Sequence, residues 1–310
     1  MKENGLVLGM DIGGTHVRAA LASGTRIVAE ASSKWPSSLT PGEDVDFIAT
    51  MALELADRSG SGQKLLAAGI SLAAMVNSNG KVIQWPNRPS WAGFDFKSLL
   101  ETKIDAPVAI EDDANAAALA ECVYGAGRGY DHVLVIMAGT GVGAGLILNG
   151  NLFRGKNGWA GELGHTTILP EGPDCPCGKR GCLQSLASGR LLDRIASQRG
   201  LGSSSEVTDA ANAGESWAVD IVSQCGYWIG LAAANVINLL DLDAVIVGGG
   251  LSKVGMLWWQ SFKESFHKNL LNASYRSVDL RQAELPDKAG LWGAVALANR
   301  INIQAGEVHD

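Results

Sequence analysis

Short apolar runs closed by glycine turns recur along this chain, and stretches with helical periodicity separate them. Residues 6–12 form an apolar run, Gly13-Gly14-Thr15 is a turn signal, and the apolar pattern resumes over 17–22. The chain therefore opens as strand, turn, strand. A proline- and serine-containing loop over 37–44 leads into a helix expected over 45–58, followed by a buried strand over 66–72 and a polar turn over 77–80. An irregular, aromatic-rich loop spans 85–96. A short strand over 108–111 runs into an alanine-rich helix over 114–124, which Gly125 closes.

A second strand-turn-strand then begins at residue 133, VLVIMA-GTGVG-AGLILNG, and echoes the first. Helices are expected over 191–197 and 217–239, a strand over 244–247 opens into Gly248-Gly249-Gly250, and the last helix is expected over 290–300. Alternating strands and helices predict an α/β protein with mixed sheets flanked by helices. The echo predicts two lobes built on one plan that share a cleft, since no long linker separates them. Gly290 and Gly293 are read as hinge positions or as sites of close helix packing.

Composition narrows the class. The 310 residues suffice for two cores, and 46% hydrophobic with 18% charged residues fits a globular chain. A net charge of −7 argues against nucleic acid and anionic membrane as partners. No apolar run reaches membrane-spanning length and no signal-like segment opens the chain, so a reducing cytoplasm is the expected compartment.

Of five cysteines, three fall in one eight-residue window: Cys175, Cys177 and Cys182, with nine residues between His165 and the first. Three thiols and an imidazole make a complete tetrahedral set for structural zinc, with no position left for water. The clustering favours zinc over a disulfide with a spare thiol, and over buried cysteines acting as small hydrophobes. Such an ion would staple a loop that positions Glu162 before it and Gln184 after it.

Three glycine turns abut apolar strands. Asp11-Ile12-Gly13-Gly14-Thr15 offers backbone donors and a hydroxyl to phosphate, while Asp11 is placed to hold magnesium through water. Gly139-Thr140-Gly141 and Gly248-Gly249-Gly250 offer further donors. Each alone is also what an ordinary hairpin or βα turn looks like; together they suit two phosphates and a nucleoside. The dinucleotide fingerprint is missing after the first strand. At the junction Glu111-Asp112-Asp113, one acid suffices to cap the helix. Asp113 is read as the base that accepts a hydroxyl proton during phosphoryl transfer. Glu162 is either solvated or, with the second ring nitrogen of His165, aimed at a polyol.

These residues together resemble the ROK family of sugar kinases, within the two-lobed, ribonuclease H-like actin-like ATPase fold, over nearly the whole chain. The resemblance implies ATP-dependent phosphorylation of the 6-hydroxyl of a hexose or N-acetylhexosamine, with magnesium, and a homodimer. It implies Asp113 as base, Asn87, Asp112, Glu162, His165 and Gln184 as sugar ligands, and His165 also as zinc ligand. The lobes are expected as 1–115 plus 295–310 and 116–294. Three positions depart from the family pattern: Asp112 is usually asparagine, Gln184 usually glutamate, and Leu72-Ala73-Ala74 replaces a Pro-Gly. An acid gained beside the sugar favours an ammonium there. That keeps an amino sugar (kanosamine, glucosamine, N-acetylglucosamine, N-acetylmannosamine) or a cyclitol as alternatives, with polyphosphate as an alternative donor. A sugar-responsive, non-catalytic regulator is the rival class. Its DNA-binding segment would need more than the ten residues before Asp11.

Overall fold

Leu6–Ile12 (β1) is buried at nearly every position, and its alternate residues enter two different cores. Leu6, Leu8, Met10 and Ile12 pack with Ile48, Ile70, Trp91 and Phe96, whereas Val7 packs with Ala67, Leu291 and Val295. Period-two alternation thus sends Asp11 to the same face as Val7. The computed structural model describes residues 5–36, 40–60, 64–77, 79–285 and 287–307. Parts of the expected 37–44 loop and 77–80 turn lie outside them.

The chain continues through β2 (His16–Ser23), β3 (Arg26–Lys34), α1 (Pro41–Arg58), β4 (Leu65–Leu72), a small pair β5 (Met75–Val76) and β6 (Val82–Gln84), α2 (Phe96–Ile104), β7 (Val108–Asp112) and α3 (Asp113–Tyr124). Helix α1 starts four residues earlier than expected. Thr40 and Glu43 form a capping box, with Glu43 accepting from the Thr40 N–H at 2.8 Å, and Pro41 fits the first helical position. The sheet runs β3-β2-β1-β4-β7, antiparallel through the first three strands and parallel from β1 to β7. The C-terminal helix Ala289–Glu307 covers one face of it.

After α3 come β8 (Val133–Ala138), β9 (Val142–Leu148), β10 (Asn151–Leu152), α4 (Leu183–Leu186), α5 (Gly189–Gln198), α6 (Ser204–Asn212), α7 (Ser216–Leu240), β11 (Ala244–Gly248), α8 (Met256–Asn269) and β12 (Asp279–Gln282). Their sheet runs β10-β9-β8-β11-β12 with the same change from antiparallel to parallel pairing. The echo in the sequence is therefore an echo in topology. Trp258, Phe262 and Phe266 on α8 and Cys225 and Ile229 on α7 fill its core.

Two compact units result. The first takes the described residues up to Tyr124, Arg154–Ala160 and those from Asp287 on; the second takes Gly125–Phe153 and Gly161 to Leu285. These bounds differ from the expected division after residues 115 and 294. The reason is helix packing: α3 and the C-terminal helix lie against each other, with the Tyr124 and Trp292 rings 4.8 Å apart. A Cβ on Gly293 would land on the Ala116 carbonyl, and one on Gly290 on the Asp11 carboxylate. Both glycines permit close approach, so packing rather than hinge motion accounts for them. Among the described residues, no helix is long and apolar enough to cross a membrane.

Candidate active-site residues and metal cluster

Register across three parallel strands decides which acids of the first unit meet. Asp11 pairs with Ser71 and Ser71 with Glu111 across β1, β4 and β7, so all three share the face beneath the C-terminal helix. The Ser71 hydroxyl donates to Asp11 Oδ1 at 3.1 Å, and the Arg18 guanidinium stands 4.0 Å from Oδ2. Burial pushes the Asp11 carboxyl above the usual carboxylate range, while the Ser71 bond and the Arg18 charge pull it back.

The turn after β1 is held from behind. The Gly13 N–H donates to the His16 carbonyl at 3.0 Å, and the Gly13 carbonyl accepts from Trp35 Nε1 at 2.8 Å. Gly13 therefore closes the hairpin, its own donor already used, and Gly14 and Thr15 remain as donors toward an anion. A side chain at Gly14 would run into Asn87 Nδ2, so the exposed Asn87 amide lies directly beside this turn.

The three acids at the β7–α3 junction divide their work. Asp112 caps α3, accepting from the Asn115 N–H at 2.8 Å and from Asn115 Nδ2 at 2.6 Å. Glu111 is buried, with its side chain 7% exposed, and pairs with Arg154 Nε while Asn115 Nδ2 donates to its other oxygen at 3.4 Å. Burial raises the Glu111 carboxyl, and Arg154, Asn115 and the Arg300 charge oppose the rise. Asp113 is exposed in the first turn of α3, beyond the carboxyl end of β7. The capping reading therefore holds for Asp112 and does not account for Asp113.

In the second unit the turn between β8 and β9 is also closed internally. The Gly139 N–H donates to Gly141 O at 2.9 Å. The N–H groups of Gly189 and Arg190 at the start of α5 donate to Gly139 O and Thr140 O at 2.8 and 3.1 Å. Gly249, at φ +86°, lies against the Ala138 carbonyl where no side chain fits, and so locks the end of β11 to the end of β8.

His165, Cys175, Cys177 and Cys182 converge, with all their donor atoms within 4.8 Å of one another. Tight turns do this: Cys175 N–H donates to Lys179 O at 2.8 Å and Gly178 N–H to Cys175 O at 2.9 Å. Zinc–sulfur bonds of about 2.3 Å arranged tetrahedrally need donors about 3.8 Å apart. Cys177 and Cys182 sulfurs are 3.6 Å apart, and Cys175 Sγ is 3.9 Å from His165 Nδ1. The donor set fits a four-coordinate ion. Burial works against a thiolate at Cys175, but hydrogen bonds from Gln184, Cys177 and Cys182 outweigh it and lower the thiol to about 6. Cys182 is pushed up to about 12 by burial and by the same thiol neighbours. The other ring nitrogen, Nε2, faces Glu162 at 4.0 Å, and Glu162 is exposed.

Gln184 is half-buried between two features. Its Nε2 donates to Cys175 Sγ at 3.4 Å, while its Oε1 would lie 3.1 Å from a Cβ on Gly141. Sequence reading paired Gln184 with a sugar and missed this link to the β8–β9 turn. It also missed Arg154, Trp35 and Ser71. Only Ser71, on a strand beside Asp11, carried a local signal.

The ROK family model matches residues 7–301. The glucokinase of Streptomyces coelicolor is 35% identical, covering 95% of this chain and 98% of that protein. The kanosamine kinase of Amycolatopsis mediterranei is 34% identical, covering 97% and 98%. Among solved structures, a ROK family glucokinase from Streptomyces griseus in complex with glucose and AMPPNP superposes with a TM-score of 0.78 at 36% identity, covering 96% of this chain and 100% of that one.

The Glu111–Arg154 pair yields a signed prediction. Arg154→Ala leaves a buried carboxyl with a pKa raised further, so the native state binds its proton more tightly than the unfolded chain does. Stability is then lost as pH rises through that raised value and regained as pH falls. Urea unfolding should show a deficit of about 2 kcal/mol near pH ~8, shrinking toward pH ~5. A pH-independent deficit would contradict this role for Glu111.

Proposed function

Since the chain belongs to the ROK family, has its actin-like ATPase fold and is a sugar kinase, we propose that it transfers the γ-phosphate of ATP to the 6-hydroxyl of a glucose-like hexose. The observation that carries this reading is the exposed carboxylate of Asp113 at the start of α3, just past the carboxyl end of a parallel strand. Ligands of open α/β sheets bind at that end.

In the proposed reaction Asp113 accepts the hydroxyl proton as the sugar oxygen bonds to the γ-phosphorus. The bond from that phosphorus to the β,γ-bridging oxygen breaks, and ADP leaves with the electron pair. Gly14, Thr15 and the Thr140-Gly141 and Gly248-Gly249-Gly250 segments supply donors to phosphate and nucleoside. Asn87, Asp112, Glu162, His165 Nε2 and Gln184 bind sugar hydroxyls. Magnesium, when bound, neutralises phosphate charge. Asp11 would hold it through water, as the carboxylate that the Ser71 hydroxyl and Arg18 favour against burial. Zinc on His165 Nδ1 and the three sulfurs would leave Nε2 a donor or acceptor of fixed direction.

A second reading, an amino hexose as acceptor, draws on one observation. Asp112 is a half-buried carboxylate next to Asp113 in the chain, and a carboxylate beside the sugar favours an ammonium there. The kanosamine kinase relative accords with it.

The test is a coupled assay of ATP consumption over glucose, N-acetylglucosamine, N-acetylmannosamine and 3-amino glucose, with Asp113→Ala in parallel. Wild type should turn over glucose, and Asp113→Ala should lose about 10²–10⁴-fold in kcat while folding normally. Unchanged turnover in the variant removes Asp113 as base, and a clear preference for the amino sugar selects the second reading. Stripping metal with a strong chelator should lower the melting temperature and weaken sugar binding, with recovery on adding zinc. Full sugar affinity in verified metal-free protein would contradict the zinc assignment.

A further inference from the structure

The loop carrying Asn87 is fastened to the Gly13-Gly14-Thr15 turn by a network of polar groups set into the tryptophans of the core. Asp44, fully buried in the first turn of α1, accepts Arg88 Nη1 on both carboxylate oxygens at 2.7 Å and Trp91 Nε1 at 2.8 Å. The Arg88 guanidinium lies 3.9 Å from the centre of the Trp35 ring. Trp35 in turn donates through Nε1 to the Gly13 carbonyl and through its backbone N–H to Thr15 O at 3.1 Å. Trp85 and Trp91, whose rings cross at 4.8 Å, close the cluster from the other side. One connected path thus runs from a buried acid through Arg88 and Trp35 to the turn, and Asn87 is the residue next to Arg88.

Two observations argue that this geometry is kept for function. A buried charge pair is a poor way to gain stability compared with apolar packing. Trp85 Nε1 and Arg88 Nε are also buried without an acceptor among the described residues, a cost that a loop selected for stability alone would shed. What the arrangement does fix is where Asn87 stands relative to Gly14, whose missing side chain leaves room for the amide.

We propose that Arg88, gripped by Asp44 and stacked on Trp35, is a positioning residue that orders the Asn87 loop and the Gly13-Gly14-Thr15 turn as one piece before either substrate arrives. This rests on the reading of Asn87 as a sugar ligand and of the turn as a phosphate ligand. Preorganisation of this kind lowers KM for both substrates without entering the chemical step. Arg88→Lys keeps a cation for Asp44 but loses the planar stack on Trp35. Trp35→Phe keeps a ring under Arg88 but loses the donor to Gly13 O.

The experiment measures KM for sugar and for ATP separately in Arg88→Lys, Trp35→Phe and Asn87→Ala, with melting temperatures. If the loop is ordered only a tenth of the time in Arg88→Lys, its sugar KM rises about tenfold, with a smaller change in kcat. Trp35→Phe, which preserves the ion pair and should fold even if Arg88→Lys does not, should raise KM for ATP about as much. A lowered melting temperature with both KM values unchanged would make the network purely structural and overturn the proposal. Asn87→Ala separates the two readings. A raised sugar KM there with none in Arg88→Lys sinks the clamp alone, and an unchanged sugar KM in Asn87→Ala removes Asn87 from the sugar site.

Discussion

Three parallel strands running in register place the candidate chemistry of the first unit. Because Asp11, Ser71 and Glu111 occupy one row across β1, β4 and β7, strand parity sends all three beneath the C-terminal helix. The residues just beyond that row, Gly13 to Thr15 and Asp112 to Asp113, then emerge together at the carboxyl ends of the strands. A slip of one residue in β7 would turn Glu111 to the opposite core and carry Asp113 with it. Buried charge enforces the register: Glu111 has its cation in Arg154, and Asp11 has Ser71 and Arg18.

The second unit repeats the sheet but solves a different problem. Its β8–β9 turn is stitched to the start of α5, and Gln184 ties the same turn to the sulfur of Cys175. A cluster that keeps three thiols together would resist their joint ionisation, so a cation is the natural complement of the fold there. Two kinds of anchor therefore serve one purpose. An ion pair fixes the acidic junction in the first unit, and a thiol–imidazole cluster fixes the Glu162–His165 segment in the second.

Local patterns were legible in the sequence, and partnerships across it were not. The repeated strand-turn-strand announced two lobes on one plan, which the two sheets repeat, and the eight-residue cysteine window announced the cluster that forms. Strand β3 went unseen because Arg26–Lys34 alternates exposed with half-buried positions and never builds an apolar run. The helix-like segment after Gly250 is α8, whose Trp258, Phe262 and Phe266 recur every four residues and enter the core. Arg154 and Arg88 carried no local signal, because their acids lie 43 and 44 residues away. Asp112 showed both possibilities, cap and ligand, and only the Asn115 bonds reveal that capping is satisfied first.

The chain is a sugar kinase of the ROK family, and Asp113 at a strand end is the base proposed for it. The most direct measurement is two-dimensional phosphorus–proton NMR of the product formed from glucose, ATP and magnesium by the purified protein. The account predicts a single phosphomonoester coupled to the C6 methylene protons, formed in step with ADP. Phosphate on the anomeric oxygen, or ADP and free phosphate without any sugar ester, would contradict it.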